Sequence, residues 1–278
     1  MVPTTNISLL TTQHNKLGGE MGSYLNKTME PAIYAGMKQK GFDLIPYVNS
    51  FGDTPEKGWP EFWDSPRYGS GYAALWNSFS FVPETHMLKS YDLRVKATYA
   101  LMQTFIEFAG KNSERINSLR KAAKQATEKQ TSFPISWKNN RTQSQQFTYK
   151  GFSSGYKPSE VSGLPRLFYD RSKPYETQVP IFNYYEATKW IDAPSAYIIP
   201  QGWWPVIERL KLNKIQMKAL AKDTTIEVTV YNFQDYKTSP RPYEGHHLNS
   251  GVVLKKTTQK ISFRKGDWLI PMTQAGNR

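Results

Sequence analysis

The spacing of apolar residues changes near Ser132, and this change constrains the fold more than any other feature of the chain. Before it, long segments repeat apolar residues every three or four positions, which predicts helices packed on a small sheet. After it, short alternating segments such as "TTIEVTVYNF" and "KKTTQKISF" are separated by turn residues, which predicts β structure. One short helix, "WPVIERLKL", is predicted within this part. We therefore expect an α/β part followed by a β-rich part.

The chain divides into three segments on this basis. We expect an α/β domain over residues 1–110, a helical linker over 111–131 and a β-rich accessory domain over 132–278. A helix is predicted over 16–40, where Pro31 either kinks it or starts a second helix. The strands predicted in the first domain are fewer than a parallel sheet with two covered faces normally has.

Two strands and a second helix complete the prediction for the first domain. "FDLIPYVN" (42–49) and "AALWNSFSFV" (73–82) are predicted strands, and a helix is predicted from Ser90. The loop between the two strands is rich in Gly, Pro and aromatic residues, and loops of that length are often functional. The helix carries an apolar stripe that we expect to pack on the sheet. The stripe consists of Val95, Tyr99, Met102, Ile106 and Ala109.

Composition excludes several classes of function. The 278 residues include 36 Lys and Arg against 23 Asp and Glu, a net charge of +13, but no basic-aromatic motif, so nucleic-acid binding is not expected. Cysteine is absent, which excludes disulfides, thiol catalysis and cysteine-ligated metals. The sequence has no signal-peptide pattern at its start and no apolar run near the ~20 residues of a membrane helix, so membrane insertion is not expected.

The segment "NSFSFVPETH" (77–86) alternates apolar and polar residues and then presents Glu84. Pro83 lacks an N–H group, so we expect it to end the strand pairing and to release Glu84 from the sheet. One interpretation makes Glu84 a solvated strand end before the next helix. The other makes it a catalytic base at the mouth of a cleft.

Several motifs carry a resemblance to a known family. "TQHNKLGGEMGSYLN", "DSPRYGSGYAALWN" and "FVPETHMLKSY" resemble the C-terminal half of the catalytic domain of zinc metallocarboxypeptidases of the carboxypeptidase A type. The resemblance covers roughly residues 11–110 and is closest to bacterial members with a β-rich extension. "SAYIIPQGW", "RPYEGHH" and "KGDWLIPMTQAGNR" resemble that extension.

The resemblance implies an α/β/α catalytic domain and a role for particular residues. Glu84 resembles the general base that takes a proton from a zinc-bound water. Arg67 is a candidate for binding the substrate carboxylate through its guanidinium, with a loop salt bridge as the alternative. Tyr68 or Tyr72 resembles the mobile tyrosine that covers the substrate, with core packing as the alternative.

The zinc ligands of the family are missing from this chain. The family uses a His-x-x-Glu pair and a later His, whereas His14, His86, His246 and His247 all lack a Glu three positions on. We therefore expect that the chain is a fragment that begins after the zinc site and ends within the extension. The intact parent would hold zinc, and this chain alone is expected to bind no metal and to be inactive.

The remaining candidates have structural alternatives. His14 is predicted at a helix entry. His86 could contact a metal beside Glu84, but is expected to bond to backbone. His246 and His247 could bind a metal as a pair, but are expected in a turn, since neighbours on a strand point to opposite faces. Trp203 and Trp204 could stack on a sugar or fill a hydrophobic gap.

The sequence therefore leaves two hypotheses about function open. The first is part of a metallocarboxypeptidase, for which the resemblance implies a peptide or protein substrate and a secreted or periplasmic location. The second is a non-catalytic accessory protein that binds peptide or glycan. In either case we expect an incomplete sheet to expose an edge or an apolar face and to favour self-association.

Overall fold

The protein is described by a computed structural model, which covers residues 7–50, 54–87 and 89–277. Helices and strands are mixed throughout, which confirms the α/β class in its coarse form. The chain forms two compact units, Met1–Ala193 with Ala275–Arg278, and Pro194–Gln274. We call them unit 1 and unit 2.

Unit 1 contains six α-helices and eight strands among the described residues. Its helices are α1 (His14–Leu17), α2 (Gly19–Tyr24), α3 (Glu30–Gln39), α4 (Gly69–Leu75), α5 (Tyr91–Lys111) and α6 (Ser113–Lys129). Its strands are β1 (Ile7–Thr11), β2 (Leu44–Pro46), β3 (Trp59–Pro60), β4 (Phe81–Thr85), β5 (Ser132–Asn139), β6 (Gln145–Pro158), β7 (Pro165–Phe182) and β8 (Tyr185–Asp192). A π-helical turn, Leu25–Met29, joins α2 to α3.

Among the described residues, three sheets make up the β structure of unit 1. Strand β1 is central in the first, parallel to β2 and antiparallel to β4. The long hairpin of β6 and β7 takes β3 as a parallel third strand at the end of β7. Strands β5 and β8 pair antiparallel. The predicted strand over 42–49 is thereby confirmed, as the shorter β2.

The segment from α2 to α3 buries one side of a nearly continuous helix. Its buried apolar side chains recur every four positions and are Met21, Leu25, Met29, Ile33 and Met37, and Leu17 at the end of α1 has the same spacing. In an ideal α-helix a four-residue step rotates the side chain by about 40° from the previous one. The wider π-helical turn before Pro31 offsets part of that rotation and keeps the stripe against the sheet. Helical structure therefore continues through Pro31.

Helix α5 packs through a face that sequence analysis did not predict. The predicted stripe, from Val95 to Ala109, is exposed, so the prediction that it packs on the sheet is wrong. The buried residues are smaller and are Ala97, Ala100, Leu101 and Thr104. Their small side chains allow close contact with α3, where a Cβ added to Gly36 would lie 2.7 Å from Thr104 Cγ2. Close approach of the two helices therefore decides which face is buried.

The predicted strand over 73–82 is also wrong in its first half. Ala73–Leu75 end helix α4, and β4 begins only at Phe81. Asn77 ends the helical segment in a left-handed conformation, with φ of 50°, and its buried side chain donates to Thr127 Oγ1 at 3.1 Å. A buried turn therefore replaces the strand.

The two units do not separate at the predicted linker over 111–131. Helix α6 belongs to unit 1 because Leu119 lies buried in the same core as β1, α2, α3 and α5. Strands β5 to β8 also belong to unit 1, and the division falls after Ala193.

Unit 2 is β-rich and holds the short helix that the sequence predicts. Its elements are β9 (Ala196–Ile199), α7 (Trp204–Leu212), β10 (Lys218–Ala219), β11 (Thr224–Thr238), β12 (Asn249–Phe263) and β13 (Trp268–Pro271). Strand β13 lies between β10 and β9, and β11 and β12 form a long antiparallel hairpin. The strand assignments for "TTIEVTVYNF" and "KKTTQKISF" are confirmed.

Candidate functional site

A cavity of about 350 Å³ lies in unit 1, between α3, the β1–β2 pair and the β6–β7 hairpin. Its volume is in the range of small-molecule sites. Two carboxyl side chains, Glu30 and Glu61, face it. The other lining residues are Leu9, Leu10, Asn26, Pro31, Tyr34, Pro46, Tyr47, Gln145, Gln146, Phe147, Ile181 and Asn183. The cavity is therefore acidic at one place and largely apolar elsewhere.

Glu61 is held by hydrogen bonds to its main chain. It follows β3, its N–H donates to the Phe182 carbonyl at 3.1 Å, and its carbonyl accepts from the Tyr185 hydroxyl at 2.6 Å. Its Oε1 lies 3.5 Å from the donating Thr11 Oγ1. The carboxyl group is thus positioned by three different strands and loops of unit 1.

Glu30 owes its place to the π-helical turn. The Glu30 N–H donates to the Leu25 carbonyl, five residues back, which is the π-helical pattern. Asn26, Glu30 and Tyr34 follow one another at intervals of four residues and all line the cavity. Single π-helical turns inside α-helices occur frequently at functional sites.

Three buried polar atoms at the cavity lack hydrogen-bond partners within the described part of the chain. They are Glu61 Oε2, the Tyr34 hydroxyl and Asn183 Oδ1. Asn183 is only 7% exposed, and its main-chain carbonyl accepts from Gln13 Nε2 at 2.7 Å. Buried polar groups in folded proteins nearly always have partners. A bound molecule that carries hydrogen-bonding groups would supply partners for these three atoms.

The carboxyl groups of the cavity resist ionisation. Burial raises the pKa of Glu30 to about 7. Burial, and next the charge of Glu30, raise the pKa of Glu61 well above its usual range. Burial and both glutamates raise the pKa of Tyr34. Strongly shifted groups in a cleft are candidates for a functional site, and here each glutamate can accept a hydrogen bond or hold a proton.

A neighbouring carboxylate has a different environment. Asp64 is fully buried, and Lys16 Nζ contacts both its carboxylate and its main-chain carbonyl. Lys16 also lies over the Trp63 ring, 4.9 Å from its centroid. Asp64 is therefore neutralised by a cation of the protein, whereas the residues lining the cavity include no Lys, Arg or His.

Glu84 lies one residue before the end of β4 and is exposed. The expectation that Pro83 releases it from the sheet is wrong, because Pro83, Glu84 and Thr85 pair with Leu9, Ser8 and Ile7 of β1. Strand β4 is the last strand of its sheet, and an edge strand tolerates proline. Glu84 thus presents its carboxylate from a paired strand.

The other residues predicted for the site precede or begin α4. Arg67 is exposed in a turn, and Tyr68, at the N-cap of α4, packs edge-on against Phe62 with ring centroids 5.1 Å apart. Tyr72 is 44% exposed and contacts Trp76. None of Glu84, Arg67, Tyr68 and Tyr72 lines the described cavity.

The four histidines occupy the ends of elements and turns. His14 begins α1, where burial lowers its pKa to about 4 and its ring packs edge-on against Tyr184. His86 follows β4 directly. His246 and His247 lie between β11 and β12, where His247 Nδ1 is 2.8 Å from the Ser239 carbonyl.

Trp203 and Trp204 are 63% and 62% exposed on unit 2. The prediction that they fill a hydrophobic gap is therefore wrong. They lie at the start of α7, where a following Pro occupies the first turn.

Within the described ranges, no three His, Cys, Asp or Glu side chains are grouped to hold a metal ion. The helices of the same ranges are all too short or too polar to cross a bilayer.

Comparison of the chain with protein-family models, with curated proteins and with solved structures finds no match.

Sequence analysis missed Glu30, Glu61, Tyr34 and Asn183. Glu61 lies in the long aromatic loop whose length already indicated function, so the signal was the carboxylate in "WPEFW". Glu30 stands directly before Pro31, where a helix that continues through proline must rearrange its hydrogen bonds. Asn183 is brought in by a hairpin far along the chain, and local sequence carries no signal for that contact.

Proposed function

We propose that this chain contributes the general base of a peptidase of the metallocarboxypeptidase type, with Glu84 accepting a proton from the attacking water. The observation that carries the proposal is the position of Glu84, whose carboxylate is solvent-accessible beside the end of a strand paired in the core sheet. The motifs around it resemble that family in the right order. A base must reach water and substrate, and an exposed, strand-anchored carboxylate can do so.

The donor groups of the described residues do not fit a zinc site. Zinc sites use at least three protein ligands, and the described residues contain no such group. The proposal therefore requires that a further segment, carrying His-x-x-Glu, supply the ligands. Arg67 would bind the carboxylate end of the peptide, and Tyr68 or Tyr72 would cover it. By the same resemblance we propose a secreted or periplasmic location.

A fusion tests the proposal. A His-x-x-Glu-bearing segment of a metallocarboxypeptidase is joined upstream of this chain, and release of C-terminal residues from peptides is measured. Glu84→Gln should lower the rate on the order of 10²–10⁴-fold, the usual contribution of a general base. Glu160→Gln, an exposed glutamate in the β6–β7 turn, is the matched control and should leave the rate unchanged. Equal rates for both variants would mean that Glu84 is only part of an edge strand.

A second candidate is binding of glycan or peptide by unit 2. It is favoured by the neighbouring exposed rings of Trp203 and Trp204, since indole rings stack on apolar faces of ligands. Trp203→Ala with Trp204→Ala should abolish retention on an immobilised glycan panel if this function is present. Tyr156→Ala, an exposed aromatic residue of unit 1, serves as control.

A further inference from the structure

We propose that the cavity of unit 1 binds the primary ammonium group of an amine that has an apolar body, with Glu30, Glu61 and Asn183 as the acceptors. This inference is independent of the role proposed for Glu84, which does not line the cavity. The ligand is defined by its chemistry, a small cation with an aliphatic or aromatic tail.

The number and type of polar atoms favour an ammonium group. Glu61 Oε2 and Asn183 Oδ1 are buried acceptors without partners among the described residues, and Glu30 faces the same cavity. An ammonium group carries three donors and no acceptor, so it matches the acceptor oxygens of three residues that line one cavity. Leaving a buried acceptor unsatisfied costs about 1–3 kcal/mol. Binding of a hydrogen-bond donor in the cavity removes this cost.

The charge of the site leads to the same ligand. Unit 1 pairs the buried Asp64 with Lys16, yet the residues lining the cavity provide no cation for Glu30 or Glu61. Two carboxyl groups that share one site resist ionising together, and a bound cation favours the ionised form of both. A bound anion would disfavour ionisation of the two carboxyl groups, and a neutral alcohol would leave their ionisation unchanged.

The rest of the lining accommodates an apolar body. Leu9, Leu10, Phe147 and Ile181 form apolar walls, and Pro31 lies beside Glu30. Burial of apolar surface adds roughly 25 cal/mol per Å² to binding in such a pocket. A polyamine would bury charge against these walls, so a single cationic end is the better match.

Binding should be linked to release of protons. Burial holds the pKa of Glu30 at about 7, so Glu30 is largely protonated below neutrality and must ionise to pair with the cation. The affinity should therefore rise between pH 6 and pH 8. The other titratable or charged groups near the two carboxyls, within the described residues, are Tyr34, Tyr47, Asp64 and Tyr185.

Calorimetric titration of the full chain with three probes that share a phenethyl group and differ in charge tests the proposal. The probes are the phenethylammonium ion, the neutral 2-phenylethanol and the anionic 3-phenylpropionate. We expect saturable one-to-one binding of phenethylammonium, tightening as the pH rises, and binding of the other two at least roughly 10-fold weaker. Equal affinity for ammonium and alcohol, tighter binding of the anion, or no saturable binding of phenethylammonium would each overturn the proposal.

Two variants and a control locate the site. Glu61→Gln and Glu30→Gln should each weaken phenethylammonium binding roughly 10- to 100-fold, the range for a hydrogen bond to a charged group. Glu160→Gln should leave it unchanged. Wild-type affinity in both cavity variants, with thermal unfolding confirming that they are folded, would place binding elsewhere and contradict the proposal. The preference for the cation in the wild-type chain stands as evidence even if one variant fails to fold.

Discussion

The buried carboxylate of Asp64 makes the stability of the fold depend on its contact with Lys16. Asp64 is fully buried, and Lys16 is the cation at its carboxylate. Lys16→Met should therefore lower the free energy of unfolding by roughly 3–5 kcal/mol, because it leaves an uncompensated buried charge. Lys40→Met removes a more exposed pair with Glu107 and should cost at most about 1 kcal/mol. Urea denaturation of both variants measures the difference, and similar losses would contradict a special role for the buried pair.

Glu30 gives the stability of the protein a dependence on pH. Its pKa is about 7 in the folded chain against 4.5 as the ordinary value, so the folded state binds more protons between these values. Stability from this group is complete below about pH 4.5 and is lost as the pH rises through 7. Glu30→Gln should remove this pH-dependent loss. The free energy of unfolding of the variant, minus that of wild type, should therefore increase by at most about 3 kcal/mol from pH 5 to pH 8.

The depressed pKa of His14, about 4, acts in the opposite direction, because the unfolded state binds more protons below its ordinary value of 6.5. The contribution of His14 is present in both wild type and Glu30→Gln, so it cancels when their free energies of unfolding are subtracted. Urea denaturation of the two proteins at each pH provides the measurement. A difference that does not change with pH would show that Glu30 ionises as an exposed glutamate does.

At the scale of elements, the close contact between β7 and the turn before β3 depends on Gly58. Its φ is +70°, and an added Cβ would lie 1.9 Å from the Pro180 carbonyl oxygen. Gly41 also has a positive φ, +83°, but an added Cβ would meet nothing within 4 Å. Gly41→Ala should cost about 1–2 kcal/mol of stability from the backbone conformation alone.

Gly58→Ala should cost more than Gly41→Ala, by roughly a further 1–3 kcal/mol, because main chain must move. Since Glu61 follows β3, the same change should also weaken phenethylammonium binding, whereas Gly41→Ala should not. Thermal unfolding and calorimetry measure the two effects. Equal losses of stability would mean that the contact with Pro180 adapts without strain.

Local pattern predicted some elements and failed at others for identifiable reasons. Helix α7 is confirmed from "WPVIERLKL", and the start of α5 after Ser90 is confirmed as well. The buried face of α5 was predicted wrongly because the rule that large apolar residues are buried ignores close helix packing, which needs Ala97 and Ala100. Local pattern could not predict the cavity either, because its walls come from residues between 9 and 183 that meet only in the folded chain.

At the scale of the whole molecule, the exposed face of α5 is the feature that sequence analysis least expected. Several large apolar side chains of this helix are more than half exposed, and they are Tyr91, Tyr99, Met102 and Ile106. Helix α5 also contacts β4, the edge strand of its sheet, through Phe105 and Phe81. Apolar surface of this kind promotes association, as the incomplete sheet was expected to do. We therefore predict that the chain self-associates through α5.

The net charge of +13 opposes that association at low salt, so sedimentation velocity should be run at physiological ionic strength. The wild-type sedimentation coefficient should rise with concentration. Tyr99→Glu with Ile106→Glu should weaken association on the order of 10- to 100-fold, since a buried large apolar side chain contributes about 1.5–3 kcal/mol. The substitutions also lower the positive net charge, which by itself favours association, so weakening would come from the α5 surface itself, through lost apolar contact and the cost of burying a carboxylate. Val161→Glu introduces the same charge outside α5, at a 98% exposed position of the β6–β7 turn, and should leave association unchanged. A wild-type chain that stays monomeric at high concentration would show that charge repulsion outweighs the exposed face of α5.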